Sequence, residues 1–205
     1  VEKGSKAIVI ACNTATSAGA EVIRRKYPDI PIIGIEPAVK PAILKYKTDK
    51  RILLLATNAT IEGEKLETLI NKYDTEHRID KKGLAKYAED GIFDKETIVP
   101  YLKEELEGYP LDQYGILILG CTHYGFFKDS FKELIDGVQI VDGGRGTARQ
   151  LKRKLEENGL LATDADKIDG EPRVIYFESG TEVTDSQKLK TIEMLNDRFA
   201  NMEML

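Results

Sequence analysis

The fold is decided by residues 116–123, which read Ile-Leu-Ile-Leu-Gly-Cys-Thr-His. A short run of apolar residues that ends in glycine is typical of a strand buried on both faces of a parallel sheet. Residues 7–14, Ala-Ile-Val-Ile-Ala-Cys-Asn-Thr, repeat this pattern. In each copy an apolar strand leads through a small residue to a cysteine, and polar residues then begin a helix. The only two cysteines, Cys12 and Cys121, therefore occupy equivalent places in a repeated strand–thiol–helix unit.

The rest of the chain alternates short apolar runs with helical patterns, which predicts an α/β fold with mainly parallel sheets flanked by helices. The predicted strands are residues 7–10, 31–34, 51–55, 116–119, 138–141 and 173–177. The predicted helices are residues 18–26, 37–46, 60–73, 95–107, 126–135, 147–157 and 187–199. The pattern weakens over residues 74–94, which are interpreted as a loop or short-helix connection. The repeated unit predicts two pseudo-symmetric halves that face each other across a shared cleft.

Composition and charge exclude several classes of partner. The 205 residues are 41% hydrophobic and 32% charged, with a formal net charge of −5. The thirty basic residues are spread along the chain, whereas nucleic-acid binders and membrane-surface proteins concentrate theirs in patches or amphipathic helices. No apolar run approaches the roughly 20 residues that span a bilayer, and no signal-peptide pattern opens the sequence. We therefore expect a cytoplasmic protein that binds neither nucleic acid nor membrane.

The same sequence predicts neither a structural disulfide nor a metal site. The two cysteines lie more than a hundred residues apart, and a reducing cytosol disfavours a disulfide between them. His77 and His123 share no metal-ligand spacing with a cysteine or with each other.

The positions of the two cysteines predict reactive thiols. Ligands of open α/β sheets bind beyond the carboxyl ends of the strands, and a helix that begins there stabilises a thiolate through its dipole and free N–H groups. The same N–H groups can bind a carboxylate. Asn13, Thr14, Thr122 and His123 follow the thiols and add hydrogen-bonding groups suited to a carboxylate or an ammonium group. A free cysteine is often only a core residue, but the repeat and these polar neighbours favour the reactive interpretation.

Two thiols, one from each half, fit a reaction that needs a base on one face of a carbon and an acid on the other. Racemisation at a carbon next to a carboxylate is such a reaction, because one thiolate removes the proton and the opposing thiol returns one. It requires no cofactor. The sequence has no Gly-x-Gly-x-x-Gly motif opening a helix and no phosphate-binding Gly-Lys-Ser/Thr motif.

At these residues the sequence closely resembles the glutamate racemase family of the aspartate/glutamate racemase superfamily. Residues 10–15, Ile-Ala-Cys-Asn-Thr-Ala, are similar to the family's first catalytic-cysteine motif. Residues 119–124, Leu-Gly-Cys-Thr-His-Tyr, are similar to its second and more specific motif. Supporting matches occur at residues 34–37, 56–61, 141–142 and 176–180.

The resemblance implies a role for each candidate residue. Cys12 would deprotonate D-glutamate and Cys121 would deprotonate L-glutamate. His123 would tune the protonation of the second thiol, and Glu89, before a glycine, matches an acidic position near that thiol, although such a residue is also ordinary at a helix end. The substrate would be held by Asn13, Thr14, Thr122 and His123, with Thr57 and Thr60 as weaker candidates.

The resemblance also implies the wider biology and the domain organisation. It implies no cofactor and no metal, with glutamate as the partner and D-glutamate supplied for peptidoglycan synthesis, and hence for cell wall biogenesis and cell shape. One domain would be discontinuous, made of residues 1–35 plus 144–205, and the second would span residues 36–143, with the active site in the cleft between them. A homodimer is compatible with the resemblance.

The sequence departs from the family pattern in two places. The family begins with a strand leading to an Asp-Ser-Gly motif and later carries a Pro-Tyr-Gly loop, and neither occurs in the printed sequence. We therefore expect the chain to lack the family's N-terminal segment, and expect its stability and activity to suffer from that loss. Residues 80–87, Asp-Lys-Lys-Gly-Leu-Ala-Lys-Tyr, also replace a more apolar family segment that contains a Cys-Pro pair.

Three other interpretations stay open from the sequence. The first is a two-thiol racemase for another amino acid, such as aspartate. The second is an inactive binding module that retains all or part of the fold without turnover. The third is a single-thiol hydrolase that uses Cys121 with His123 as its base and leaves Cys12 without a role.

Overall fold

The computed structural model describes residues 4–46, 49–84, 91–163 and 174–203. Its strands are β1 (Ile8–Ile10), β2 (Ile32–Gly34), β3 (Arg51–Ala56), β4 (Ile79–Gly83), β5 (Tyr114–Leu119), β6 (Gln139–Asp142), β7 (Phe177–Glu178) and β8 (Thr181–Glu182). Its helices are α1 (Asn13–Lys26), α2 (Val39–Lys45), α3 (Asn58–Ile61), α4 (Glu64–Tyr73), α5 (Lys95–Glu105), α6 (Lys128–Leu134), α7 (Gly144–Glu157) and α8 (Ser186–Glu203). Short 3₁₀ helices span Leu111–Gln113 and Thr122–Phe127.

A four-stranded parallel sheet in the order β4-β3-β5-β6 carries most of the core. Alternate residues of β3 and β5 point to opposite faces, as in any strand. On one face Leu53 and Leu117 pack with apolar residues of α5 and α6, and on the other Ile52 and Ile116 pack with apolar residues of α2 and α4. Both faces are covered, which explains why residues 116–119 are continuously apolar. The predicted α/β class with mainly parallel sheets is confirmed.

A second parallel pair is formed by β1 and β2, with Ile8 opposite Ile32. In the described part of the chain β1 pairs with β2 alone, and Val9 in its centre is 40% exposed. Helix α1 packs against β2, where Thr16 lies so close to Gly34 that a Cβ there would come within 2.3 Å of Thr16 Cγ2. The first strand–thiol–helix unit is thus well defined locally but less covered than the second. The division into residues 1–35 plus 144–205 and residues 36–143 stays a prediction.

The interpretation of residues 74–94 as a connection was wrong for β4, which extends the main sheet at its edge. The sequence Ile-Asp-Lys-Lys-Gly hides this strand because its charged residues interrupt the apolar pattern. Lys81 and Lys82 form ion pairs with Glu67 and Glu105, at 2.8 and 3.2 Å, so their charges are matched by neighbouring helices. Charged residues on an edge strand also discourage pairing with another chain.

The strand predicted over residues 173–177 is also different in the structure. Residue 173 lies outside the described residues, and Phe177–Glu178 instead pairs with Thr181–Glu182 in a small antiparallel hairpin. The two residues of its turn, Ser179 and Gly180, have φ of 49° and 85°. Positive φ at both central residues is what a tight two-residue hairpin requires.

Across the described residues, no helix is both long and apolar enough to cross a membrane. Within the same residues, no cluster of three or more His, Cys, Asp or Glu side chains could hold a metal ion.

Asp80 of β4 joins three strands and generates a prediction about stability. It accepts hydrogen bonds from Arg51 Nε at 2.7 Å and from the buried Tyr114 hydroxyl at 2.6 Å. The hydrogen bond from Arg51 holds the pKa of Asp80 below its usual value. A carboxyl whose pKa is lowered on folding stabilises the fold above its unfolded pKa of about 4, and that contribution is lost as pH falls through the folded pKa.

We therefore expect Asp80→Asn to be less stable than the unchanged chain at neutral pH, with a difference that shrinks once the pH falls below about 4. Urea denaturation at several pH values measures this. Asp112→Asn, at an exposed aspartate of the Leu111–Gln113 turn, is the matched control. A pH-independent difference for Asp80→Asn would contradict the charge-based explanation.

Candidate active site

The first thiol begins helix α1. Cys12 is the N-cap residue, with extended backbone (φ −137°, ψ 123°), and its Sγ accepts a hydrogen bond from the Ala15 N–H at 3.5 Å. The residue is exposed, and the first turn of α1 contains no acidic side chain. The sulfur therefore lies at the positive end of a 14-residue helix, in reach of solvent and of N–H donors. Helix α1 spans Asn13–Lys26, which is longer than the range of residues 18–26, and the cysteine lies on its cap as the strand–thiol–helix unit predicts.

Asn13 provides a buried acceptor beside this thiol. The residue is 7% exposed, and its Oδ1 has no hydrogen-bond partner among the described residues. An unpaired buried amide oxygen is costly and therefore uncommon in folded proteins. It is available to accept a hydrogen bond from a bound ligand.

Three threonine hydroxyls lie close together where the start of α1 approaches α3. Thr14 Oγ1 of α1 lies 3.0 Å from Thr57 Oγ1 and 3.1 Å from Thr60 Oγ1, and the latter two are 3.1 Å apart. Thr57 follows β3 directly and caps α3, since the Thr60 N–H donates to its hydroxyl at 3.3 Å. Each hydroxyl both donates and accepts. The structure thus brings together three of the predicted substrate contacts, and it links the first thiol's helix to the end of β3.

The second thiol is built on the same plan with one difference. Cys121 is extended (φ −133°, ψ 133°) and precedes the 3₁₀ helix Thr122–Phe127, which continues into α6. The helix predicted over residues 126–135 contains α6, whereas the 3₁₀ helix before it was not predicted, because Thr-His-Tyr-Gly-Phe-Phe lacks the helical apolar spacing. Cys121 is 9% exposed, and its Sγ lies 3.7 Å from His123 Nδ1. Thr122 and His123 are half-buried beside it.

Gly120 places the second thiol at the end of the sheet. Its N–H donates to the Leu55 carbonyl at 2.7 Å, which continues the parallel pairing of β3 and β5. Leu55 lies opposite Leu119, so Thr57 and Cys121 each follow two residues after one member of the last printed pair of these neighbouring strands. A Cβ on Gly120 would lie 2.9 Å from Ala56 Cβ, so only glycine allows this approach. Thr57 and Cys121 therefore lie just beyond the carboxyl ends of neighbouring parallel strands, and the threonine cluster joins Thr57 to the helix that Cys12 caps.

Tyr124 supports the second thiol from beneath, a role that the sequence did not predict. It is almost fully buried, and its hydroxyl donates to the Leu84 carbonyl at 2.9 Å. Burial raises the pKa of Tyr124, and the nearby Cys121 thiol adds to the effect. The signal was present as the fourth residue of Cys-Thr-His-Tyr. Glu89, by contrast, lies outside the described residues.

A separate groove of about 1000 Å³ lies between α2, β6 and α7, and it contains neither thiol. Its lining includes Glu36, Asp142 and Arg145. The candidate active site is thus identified by its chemical groups at the strand ends and not by the size of a cavity.

Comparison with known proteins identifies the family of the chain. The family model for Asp/Glu/hydantoin racemase matches residues 1–151. The chain belongs to this family. It is 42% identical to the glutamate racemase of Lachnospira eligens, over 100% of this chain and 78% of that protein. It is 43% identical to glutamate racemase 2 of Bacillus subtilis, over 93% of this chain and 71% of that protein. The family resemblance seen in the sequence is confirmed.

Solved structures of family members share the fold. Escherichia coli glutamate racemase, in complex with L-glutamate and the activator UDP-MurNAc-Ala, superposes with a TM-score of 0.63 at 27% identity, over 76% of this chain and 59% of that chain. The Thermus thermophilus glutamate racemase, in complex with β-chloro-D-alanine, gives a TM-score of 0.62 at 32% identity, over 80% and 60%. The chain thus covers about three fifths of each of these solved structures.

The close approach at Gly120 yields a testable expectation for this family member. Gly120→Ala should destabilise the fold by about 1–3 kcal/mol, because the added methyl group meets Ala56 and the Leu55 carbonyl in a packed core. Gly19→Ala is the matched control, since a Cβ at this position in α1 meets nothing within 4 Å and should be neutral or stabilising. Chemical denaturation of both variants checks this. Equal stability of the two would show that Gly120 is not constrained by packing.

Proposed function

We propose that this chain is a cofactor-independent glutamate racemase, which interconverts L- and D-glutamate with the thiols of Cys12 and Cys121. The observation that carries the proposal is the duplicated arrangement in which each thiol follows a parallel strand and precedes a helical turn. The glutamate racemases among its relatives support the choice of substrate. The protein would work in the cytoplasm and supply D-glutamate for peptidoglycan, as the resemblance to the family implies.

The proposed reaction uses one thiolate and one thiol in each turnover. With D-glutamate, the Cys12 thiolate takes the α-proton, so the Cα–H bond breaks and an S–H bond forms. The electron pair left on Cα delocalises toward the carboxylate, and the Cys121 thiol then donates its proton to the opposite face. With L-glutamate the two cysteines exchange roles. The protonation states of the two sulfurs are reversed after each turnover, so the enzyme is ready for the other enantiomer or resets by proton exchange with water.

The polar residues around the thiols suit the two charged groups at Cα. The unpaired Asn13 Oδ1 can accept a hydrogen bond from the substrate ammonium. The threonine cluster of Thr14, Thr57 and Thr60, together with the free N–H groups of α1, can bind a carboxylate. Beside the second thiol, Thr122 would add a further donor to the substrate.

His123 is the proposed proton partner of the second thiol, since its Nδ1 lies 3.7 Å from Cys121 Sγ. Glu89 would act near the same thiol by the resemblance to the family. Catalytic acid–base partners of this kind typically contribute about 10²–10⁴-fold to the rate.

The decisive test removes each sulfur in turn. Cys12→Ser and Cys121→Ser should each lower racemisation at least about a thousandfold, because each removes one of two obligatory proton carriers and a hydroxyl is a far weaker acid than a thiol. The assay starts from either enantiomer of glutamate and measures formation of the other one by optical rotation or by chiral chromatography. Each variant should still eliminate chloride from the one enantiomer of a β-chloro-substituted glutamate that its remaining thiol can deprotonate. That residual reaction is the control for an intact fold.

The outcome of the same pair of variants separates the competing functions. Near-normal racemisation by either variant would exclude the two-thiol mechanism. A single-thiol hydrolase would lose its activity with Cys121→Ser and keep it with Cys12→Ser. Absence of any turnover in the unchanged chain, with retained glutamate binding, would favour a binding module.

Substrate choice is tested by α-proton exchange. The Asp/Glu/hydantoin family description leaves aspartate as the nearest rival substrate. In D₂O, exchange at Cα of glutamate should exceed that of aspartate in kcat/KM at least about tenfold, since a methylene difference alone discriminates by about 10–200-fold. Proton NMR on both enantiomers of each amino acid measures the exchange. Faster exchange of aspartate would reassign the substrate while leaving the two-thiol mechanism in place.

A further inference from the structure

The 3₁₀ helix Thr122–Phe127, called here the thiol turn, depends on outside support for its conformation. It is six residues long, whereas 3₁₀ helices rarely exceed three or four residues because their hydrogen-bond geometry is poor. The capping residue Cys121 makes no side-chain capping hydrogen bond. On its inner side the thiol turn is held by the buried Tyr124 and Phe127. The position of Cys121, Thr122 and His123 therefore also depends on what packs against the outer side.

Helix α8 covers that outer side with Phe199. The three nearest atoms to a Cβ built on Gly125 all belong to the Phe199 ring, the closest at 2.8 Å, so the ring lies directly on the backbone of the thiol turn. The ring also meets Phe126 edge-on, with centroids 5.6 Å apart and planes at 72°. Edge-to-face aromatic pairs of this kind are favourable beyond the area that they bury.

Arg198, the preceding residue of α8, fastens the end of the thiol turn through its backbone. Its Nε donates to the Phe126 carbonyl at 3.1 Å, and its Nη2 donates to the Phe93 carbonyl at 3.2 Å. The guanidinium lies 4.9 Å from the centroid of the Phe93 ring, and Nη2 is 3.5 Å from Asp129 Oδ1. A planar guanidinium that bridges two carbonyls and stacks on a ring fixes their geometry in a way that an ammonium group cannot.

The last turn of α8 is anchored in the same region by salt bridges to a buried lysine. Lys128, the first residue after the thiol turn, is 8% exposed and forms salt bridges with Glu203 of α8 and with Asp142, the latter at 2.9 Å. Phe199 and Glu203 lie one turn apart on the same face of α8. These contacts hold α8 against the thiol turn and the start of α6, although α8 is far from the second thiol in sequence.

We propose that Arg198 and Phe199 are positioning residues for the second thiol: they hold the thiol turn from outside, so that Cys121 and His123 keep the geometry needed for proton transfer. Both residues would act through the backbone of the thiol turn. The effect on racemisation rests on the proposed function, whereas the effect on the thiol itself does not.

The test compares the two cysteines of one chain, since each serves as the reference for the other. Iodoacetamide alkylation of the full chain is followed across pH, and mass spectrometry reports Cys12 and Cys121 separately. In Arg198→Ala and Phe199→Ala, the alkylation midpoint of Cys121 should rise by at least about half a pH unit, because the displaced thiol loses its contact with His123 Nδ1, which favours the thiolate. The Cys12 midpoint should not move. Lys190→Ala, an exposed cation on the same helix, is the matched control and should leave both midpoints unchanged.

Racemisation provides the second readout. The kcat of Arg198→Ala should fall at least about tenfold, since displacement of a catalytic group by about 1 Å can cost about a hundredfold. Arg198→Lys should recover only part of the loss. An inactive unchanged chain would defeat the proposed function, yet the Cys121 midpoint would still decide the positioning role.

Gly125→Ala keeps the proposal testable if the alanine variants of α8 fail to fold. Its added methyl group should push on Phe199 and shift the Cys121 midpoint in the unchanged background. The same substitution is then made in a Phe199→Ala background, where it should add little or no further shift because the opposing ring is gone. If Phe199→Ala does not fold, Phe199→Leu replaces it as the background, since its side chain is smaller and has no ring. Unchanged Cys121 midpoints and unchanged kcat in folded variants would overturn the proposal. Equal shifts for Gly125→Ala in both backgrounds would overturn it as well.

Discussion

The hydrogen bond from the Gly120 N–H to the Leu55 carbonyl is the constraint on which the candidate site depends. It extends the parallel pairing of β3 and β5 by one step beyond the regular strands. Cys121 directly follows this hydrogen-bonded glycine, and Thr57 directly follows the end of β3. A side chain at position 120 would separate the two strands, because Ala56 and the Leu55 carbonyl occupy that space. The sheet backbone therefore positions Cys121 independently of the contacts that its side chain makes.

The threonine cluster carries this constraint across to the first thiol. Helix α1 is fixed on β1 by the hydrogen bond from the Thr16 hydroxyl to the Ile10 carbonyl, and on β2 by the contact of Thr16 with Gly34. Two residues earlier, Thr14 reaches the ends of β3 and α3. Hydroxyls suit such a junction because they exchange donor and acceptor roles without desolvating a charge. A ligand that breaks one of these hydrogen bonds would therefore affect both α1 and the segment that follows β3.

The sequence was most informative for strands that are buried on both faces. It was least informative where charged residues pair with partners that are distant in sequence. Residues 116–119 predicted a central strand because both faces of that strand are covered. The motifs around Cys12 and Cys121 predicted two cap positions because a small residue and a thiol before polar residues suit a strand-to-helix turn. Strand β4 escaped prediction because the partners of Asp80, Lys81 and Lys82 lie on other elements. The contact of α8 with the thiol turn likewise depends on residues more than seventy positions apart, such as Arg198 and Phe126.

The two thiols differ in environment, and the proposed reaction limits what this difference can do. Cys12 is exposed and caps the start of α1, whereas Cys121 is buried beside His123. Enantiomers have equal free energy, so kcat/KM must be the same in both directions whatever the surroundings of each sulfur. The asymmetry can appear only in kcat and KM separately, because it changes how tightly each enantiomer is held in its ground state. Support of Cys121 by α8 therefore acts on both directions of the reaction, since every turnover needs both sulfurs in place.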